Sequence, residues 1–171
     1  MKKIVFLFLG LVIMILSCQK NPKLSDSEKD SMVKAVQHTS QQFWSYTQPY
    51  DTGSFRRFVK FWDENSDKAW QTEPIAVVFE TDIVKTRSEW IKMLKEMIDT
   101  RISTVPVIHE SHFAVLSNDK VLEVNKGDFT ITGKDSVVYG PFTMVNTILW
   151  ISTNGDWRMQ YFHESSVKKS E

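Results

Sequence analysis

Residues 147–165 read TILWISTNGDWRMQYFHES, and this stretch decides the fold. Asn154-Gly155 sits between two runs rich in Thr, Ile, Trp and other aromatic residues. An Asn-Gly pair between such runs is a strong hairpin signal, because both central residues of the tight turn need φ > 0. The run before it extends back to Val137, and the run after it reaches Val167. Two more strand-like runs precede this hairpin, Ile102 to Ser117 and Val121 to Thr132. Asn118-Asp119 and Gly133-Lys134-Asp135 supply the turns between them. The C-terminal half therefore predicts four long antiparallel strands.

The N-terminal half has a helical texture. Ser25-Asp26-Ser27-Glu28 is a capping box, and Met32, Val36, Thr39 and Phe43 follow at helical spacing. This predicts a helix to about Tyr46. Pro49 and Gly53 break it, and a short second helix is expected over 55–62. Ile75 to Glu80 is a β-type run that Ile83-Val84 continues or pairs with. Thr86-Arg87-Ser88-Glu89 is a second capping box. Its helix runs to about Thr100, with Trp90, Leu94, Met97 and Ile98 inward. Helices followed by a meander give an α+β class, with two to three N-terminal helices covering one face of a curved antiparallel sheet.

The first residues carry an export pattern. Lys2 and Lys3 precede an apolar run, Ile4 to Leu16, that is short of the ~20 residues needed to span a bilayer. Ile15-Leu16-Ser17-Cys18 resembles the bacterial lipobox, which implies cleavage after Ser17 and lipidation of Cys18. The chain then divides into a signal at 1–17, a lipidated tether at 18–24, a domain at 25–167 and a tail at 168–171. The expected partner of Cys18 is a membrane of the cell envelope. Gln19, where Asp would favour inner-membrane retention, points to the outer membrane. Cys18 is the only cysteine, so it leaves no thiol for a disulfide or for catalysis within the domain.

Composition narrows the function classes. The 21 basic and 21 acidic residues become 19 and 21 after loss of residues 1–17, a formal charge of −2. Without a basic surplus, nucleic-acid binding is not expected. About 150 remaining residues suit one domain with a real core. The 11 Phe and 6 Trp supply that core, with enough aromatic surface to line a pocket.

Trp150, Asn154-Gly155, Trp157, Arg158-Met159 and His163-Glu164-Ser165 together resemble the terminal hairpin of SnoaL-like domains in the nuclear transport factor 2-like superfamily. Ala114 to Asp119 resembles an earlier strand and turn of the same family. The resemblance implies a nuclear transport factor 2-like or cystatin-like cone, a strongly bent sheet around the first helix with a pocket at its open end. The superfamily holds isomerases, dehydratases, cyclases and non-enzymatic binding or assembly domains, so function has to be argued from the site. Many members dimerise through the outer sheet face. Thr143, Val145, Thr147, Leu149 and Ile151 share one non-polar face, and Phe142, Met144, Asn146, Ile148 and Trp150 share the other. A homodimer is therefore expected, the alternative being a wider helical cover within one chain.

Candidate site residues follow from residue chemistry. Strict alternation puts Trp157, Met159, Tyr161, His163 and Ser165 on one face. His163 is the candidate acid/base, since imidazole titrates near neutrality; the alternative is a structural His bonded to backbone or Ser165. Glu110 and His112 also share a face, as an orienting pair or as a solvated rim contact. Phe43, Trp62, Trp90, His112, Tyr139 and Trp150 are candidate ligand contacts; core packing explains most of the aromatic residues on the helices equally well. No cofactor or metal is expected. His109 and His112 point to opposite faces of a regular strand, and Asp63 to Asp67 lacks the ligand order of a calcium loop. Glu123, Asn125 and Tyr139 supply parts of a ketosteroid isomerase-like site, but no spacing joins them. The expected function is binding of a small, partly apolar ligand, with a His163-dependent isomerase, dehydratase or hydrolase and an assembly module as alternatives.

Overall fold

The computed structural model of the protein describes residues 23–46, 71–79 and 82–169. The signal, Cys18 and the expected helix over 55–62 lie outside them. Helix α1 spans Asp26–Tyr46. Its first turn is closed by the capping box: the Glu28 amide donates to Ser25 Oγ (3.2 Å), and the Ser25 amide donates to Glu28 Oε2 (2.7 Å). Strands β1 (Gln71–Phe79) and β2 (Asp82–Val84) form a short antiparallel pair. Helix α2 (Arg87–Thr100) starts on the second capping box, with the Glu89 amide 3.2 Å from Thr86 Oγ1 and the Thr86 amide 3.1 Å from Glu89 Oε2. Local sequence alone is enough for both helix starts.

The four long strands are β3 (Arg101–Ser117), β4 (Lys120–Gly133), β5 (Val138–Thr153) and β6 (Asp156–Lys168). At the β5–β6 turn, Asn154 has φ 53° and Gly155 φ 88°. The six strands form one sheet in the order β2-β1-β6-β5-β4-β3. All neighbours are antiparallel except β1 and β6, which run parallel. The class is α+β, with two described helices packed on a curled, mostly antiparallel sheet.

Bulges bend this sheet and reassign its faces. In β3 one bulge lies between the Ile108–Gly127 and Glu110–Lys126 pairs, leaving His109 unpaired in the ladder. An added Cβ at Gly127 would collide with the Val107 carbonyl oxygen, so glycine permits the close β3–β4 approach at the bend. In β6 a bulge at Gln160 lies between the Met159–Trp150 and Tyr161–Leu149 pairs.

The inner face carries Val121, Ile148, Trp150, Met159 and Phe162, and the helices cover it with Val36, Phe43, Trp90 and Leu94. Phe162 sits between the two helices, 6.4 Å from the Phe43 ring and 6.1 Å from that of Trp90. On β5, Met144, Asn146, Ile148 and Trp150 are buried, while Val145 on the opposite face is exposed.

Candidate functional site

Helix α1 and strand β3 flank an open cavity of about 560 Å³. The helix contributes Gln37, Ser40, Gln41 and Trp44, one stripe at i, i+3/i+4 spacing. The strand contributes Pro106 and Ile108 before its bulge and Ser111 and Phe113 after it. His109 and Glu110, at the bulge itself, also border the space. The wall thus combines apolar and aromatic surface with a few polar groups, the usual make-up of a small-molecule site.

Glu123 of β4 reaches the cavity from the sheet, opposite Phe113. It is only 1% exposed. Three side chains donate to its carboxylate: Ser40 Oγ to Oε1 at 2.8 Å, Asn125 Nδ2 to Oε1 at 2.9 Å, and Trp150 Nε1 to Oε2 at 2.8 Å. Asn146 extends the network by donating to Asn125 Oδ1 at 2.9 Å. Asn146 Oδ1 is buried with no hydrogen-bond partner among the described residues. Burying so many polar atoms is tolerable only because nearly all are bonded to one another.

On the outer face Asp128 accepts three bonds: from Lys169 Nζ at 2.7 Å, from Thr143 Oγ1 at 3.0 Å, and from the His109 ring at 2.8 Å. The Lys169 bond, with the His109 bond next, holds its carboxyl well below the ordinary carboxylate range. The bulge therefore turns the His109 ring toward the outer face, where a regular strand would have set it opposite His112. His112 bonds Glu110 at 2.6 Å, and both are exposed.

The candidate residues read from sequence do not assemble into one site. Phe43 and Trp90 are buried in the core around Phe162. Trp150 is fully buried, and its indole N–H reaches Glu123. His112 is on the outer face. Tyr139 lies at the start of β5, beside a separate cavity of about 600 Å³, where its hydroxyl donates to Asp135 at 2.9 Å. That bond raises the Tyr139 pKa and, after the Val137 amide, lowers that of Asp135. Trp62 and Cys18 lie outside the described residues. No group of three His, Cys, Asp or Glu suited to a metal ion occurs among the described residues.

His163 requires a correction. The Gln160 bulge splits the face expected from alternation: Met159 points inward with Trp150, whereas His163 pairs with Thr147 on the outer face. Its ring lies 3.2 Å from Ser165 Oγ and does not border the cavity. Strict alternation failed because one extra residue inverts every side chain beyond it. Sequence reading named Glu123 and Asn125 without joining them, and it did not place Ser40 or Asn146 beside them. The signal was Glu123 and Asn125 at alternate positions on the strand face that also carries Val121 and Phe129.

Known structures resemble this architecture. A candidate scytalone dehydratase from Novosphingobium aromaticivorans aligns with TM-score 0.65 and 8% identity, over 86% of this chain and 93% of that one. A candidate dehydratase of the nuclear transport factor 2-like family from Streptomyces avermitilis gives 0.64 and 16%, over 82% and 99%. A protein of cystatin-like fold from Caulobacter vibrioides gives 0.59 and 14%, over 80% and 89%. The fold is nuclear transport factor 2-like. No family model matches the chain, and no curated protein matches it by sequence. At such identities the likeness extends to the fold and leaves activity open.

Proposed function

We propose that this chain is a SnoaL-like lipoprotein of the bacterial cell envelope whose cavity binds a small, partly apolar ligand. The observation that carries the reading is the α1–β3 cavity, with Trp44, Phe113 and Ile108 in its wall and the buried Glu123 at its base. Apolar wall supplies affinity through burial, and a few oriented polar groups select among ligands. The lipobox-like Ile15-Leu16-Ser17-Cys18 supports the anchor. A single acyl chain binds membranes marginally, so the expected multiple chains on Cys18 give firm attachment. Native mass spectrometry of the protein purified from its own envelope tests the reading. A stoichiometric co-purifying small molecule that is lost on Phe113→Ala substitution supports it. Ligand that stays bound in that variant places binding elsewhere.

A second reading is an enzyme of the dehydratase or isomerase kind. Two of the similar structures carry candidate dehydratase names, and the Asp128-bonded His109 borders the cavity. A carboxylate that orients an imidazole is a common general-base arrangement. His163 does not border the cavity and is not needed for this chemistry. Turnover abolished by His109→Ala with ligand binding intact distinguishes the enzyme from the binding protein.

The outer face supports a homodimer as a further element of the proposal. Val105, Val107, Val145 and Val167 are exposed on it around the polar Asp128 cluster, and exposed apolar side chains beside polar groups suit a protein contact. Sedimentation equilibrium of the protein and of Val145→Lys reads this directly.

A further inference from the structure

The charge balance of the cavity bears on what it binds, and the following rests on the ligand-pocket reading above. Glu123 is a carboxylate buried to 1% exposure, and it forms no ion pair with a Lys, Arg or His among the described residues. All three of its partners are neutral donors. A carboxylate offers about four acceptor positions. Oε1 accepts two bonds and Oε2 only the one from Trp150, so Oε2 keeps a position open. A buried carboxylate without a counter-ion is costly, and a cation beside it relieves that cost. The rest of the described lining points the same way. It holds no Lys or Arg, and its other carboxylate, Glu110, is exposed and bonded to His112. Its one imidazole, His109, is already bonded to Asp128. Trp44 and Phe113 border the same space, and aromatic rings attract cations.

We propose that the cavity takes an organic cation, an alkyl or arylalkyl ammonium compound. Its N–H donates to Glu123 Oε2 at the base of the cavity. Its apolar body packs against Trp44, Phe113 and Ile108. The α1–β3 cavity is then a site for amines, with the missing counter-ion of Glu123 supplied by the ligand.

Three probes of matched shape test this: phenethylamine, 2-phenylethanol and phenylacetate. Each is titrated at pH 7 into the full-length protein in detergent micelles, with micelles alone as the blank, and binding is read by ligand-observed NMR. Phenethylamine should bind at least tenfold tighter than 2-phenylethanol, and phenylacetate should not bind. Glu123→Gln should bring the amine to the level of the alcohol. If that variant does not fold, Trp44→Leu serves in its place, and should weaken the amine at least threefold more than the alcohol. Equal affinity of amine and alcohol for the wild-type protein overturns the cation assignment while leaving an apolar pocket. So does tighter binding of phenylacetate. An amine preference that survives in a folded Glu123→Gln variant overturns Glu123 as the anchor. Failure of all three probes to bind overturns the inference, and the co-purification experiment then decides separately whether the pocket reading falls with it.

Discussion

Ser40 on helix α1 donates a 2.8 Å hydrogen bond to Glu123 on strand β4, across 83 residues of sequence and inside the core. The bond ties the covering helix to the sheet at the wall of the cavity, which both residues line. It also makes the helix position sensitive to what Glu123 does.

Removing the acceptor should cost more than removing one donor. Glu123→Ala strands Ser40, Asn125 and Trp150 as buried donors, and each unsatisfied group costs about 1–3 kcal/mol. A total loss of about 3–5 kcal/mol is expected, allowing for partial relaxation. Ser40→Ala removes one donor and should cost about 1 kcal/mol. The double variant should be less destabilised than the sum of the two, because the residues share one network. Urea denaturation of the four proteins measures this; strict additivity would contradict the network.

Phe162 should be a dominant packing residue. It is 3% exposed and lies between Phe43 and Trp90. Phe162→Ala is expected to cost about 3–5 kcal/mol. The neighbouring His163→Ala should cost under about 1 kcal/mol, as its ring bonds the exposed Ser165 hydroxyl. Thermal melts that rank the two the other way would mean that the β6 register differs from the one described.

Asp128 should shape the acid limb of stability. Its folded carboxyl titrates below the ordinary value, first through Lys169 and then through His109. A folded pKa below the unfolded one means that the unfolded chain binds more protons in the interval between them, so stability rises with pH there. The contribution is fully present above the ordinary carboxylate pKa of about 3.9 and is lost as pH falls toward the folded value. Asp128→Asn should therefore be less stable than the parent at pH 7, with the gap narrowing at pH 3. Urea midpoints at the two pH values check it, and a constant gap would exclude an ionic origin.

Cys18→Ser should release the protein from the membrane. Attachment in the proposal rests on acyl chains carried by Cys18. Fractionation of the variant should move it to the soluble fraction or leave an uncleaved precursor with residues 1–17 attached. Mature-sized Cys18→Ser protein remaining with the membranes would rule out the lipid anchor.

Features encoded by neighbouring residues were legible in the sequence. Both capping boxes start their helices where Ser25/Glu28 and Thr86/Glu89 stand three apart, and Asn154-Gly155 turns the last hairpin. The α+β class and the run of four antiparallel strands follow from such local signals, whereas which of the two non-polar faces of β5 is buried does not. The parallel β1–β6 pairing and the site were decided only by the tertiary structure. Ser40, Glu123 and Trp150 come from three elements, and nothing in their separate sequence contexts announces a shared hydrogen-bond network. The bulges at His109 and Gln160 carry no composition signal, yet each inverts the faces beyond it. That is why His163 turned outward and His109 reached Asp128: side-chain direction in a strand has period two, and register depends on partners far away in the chain.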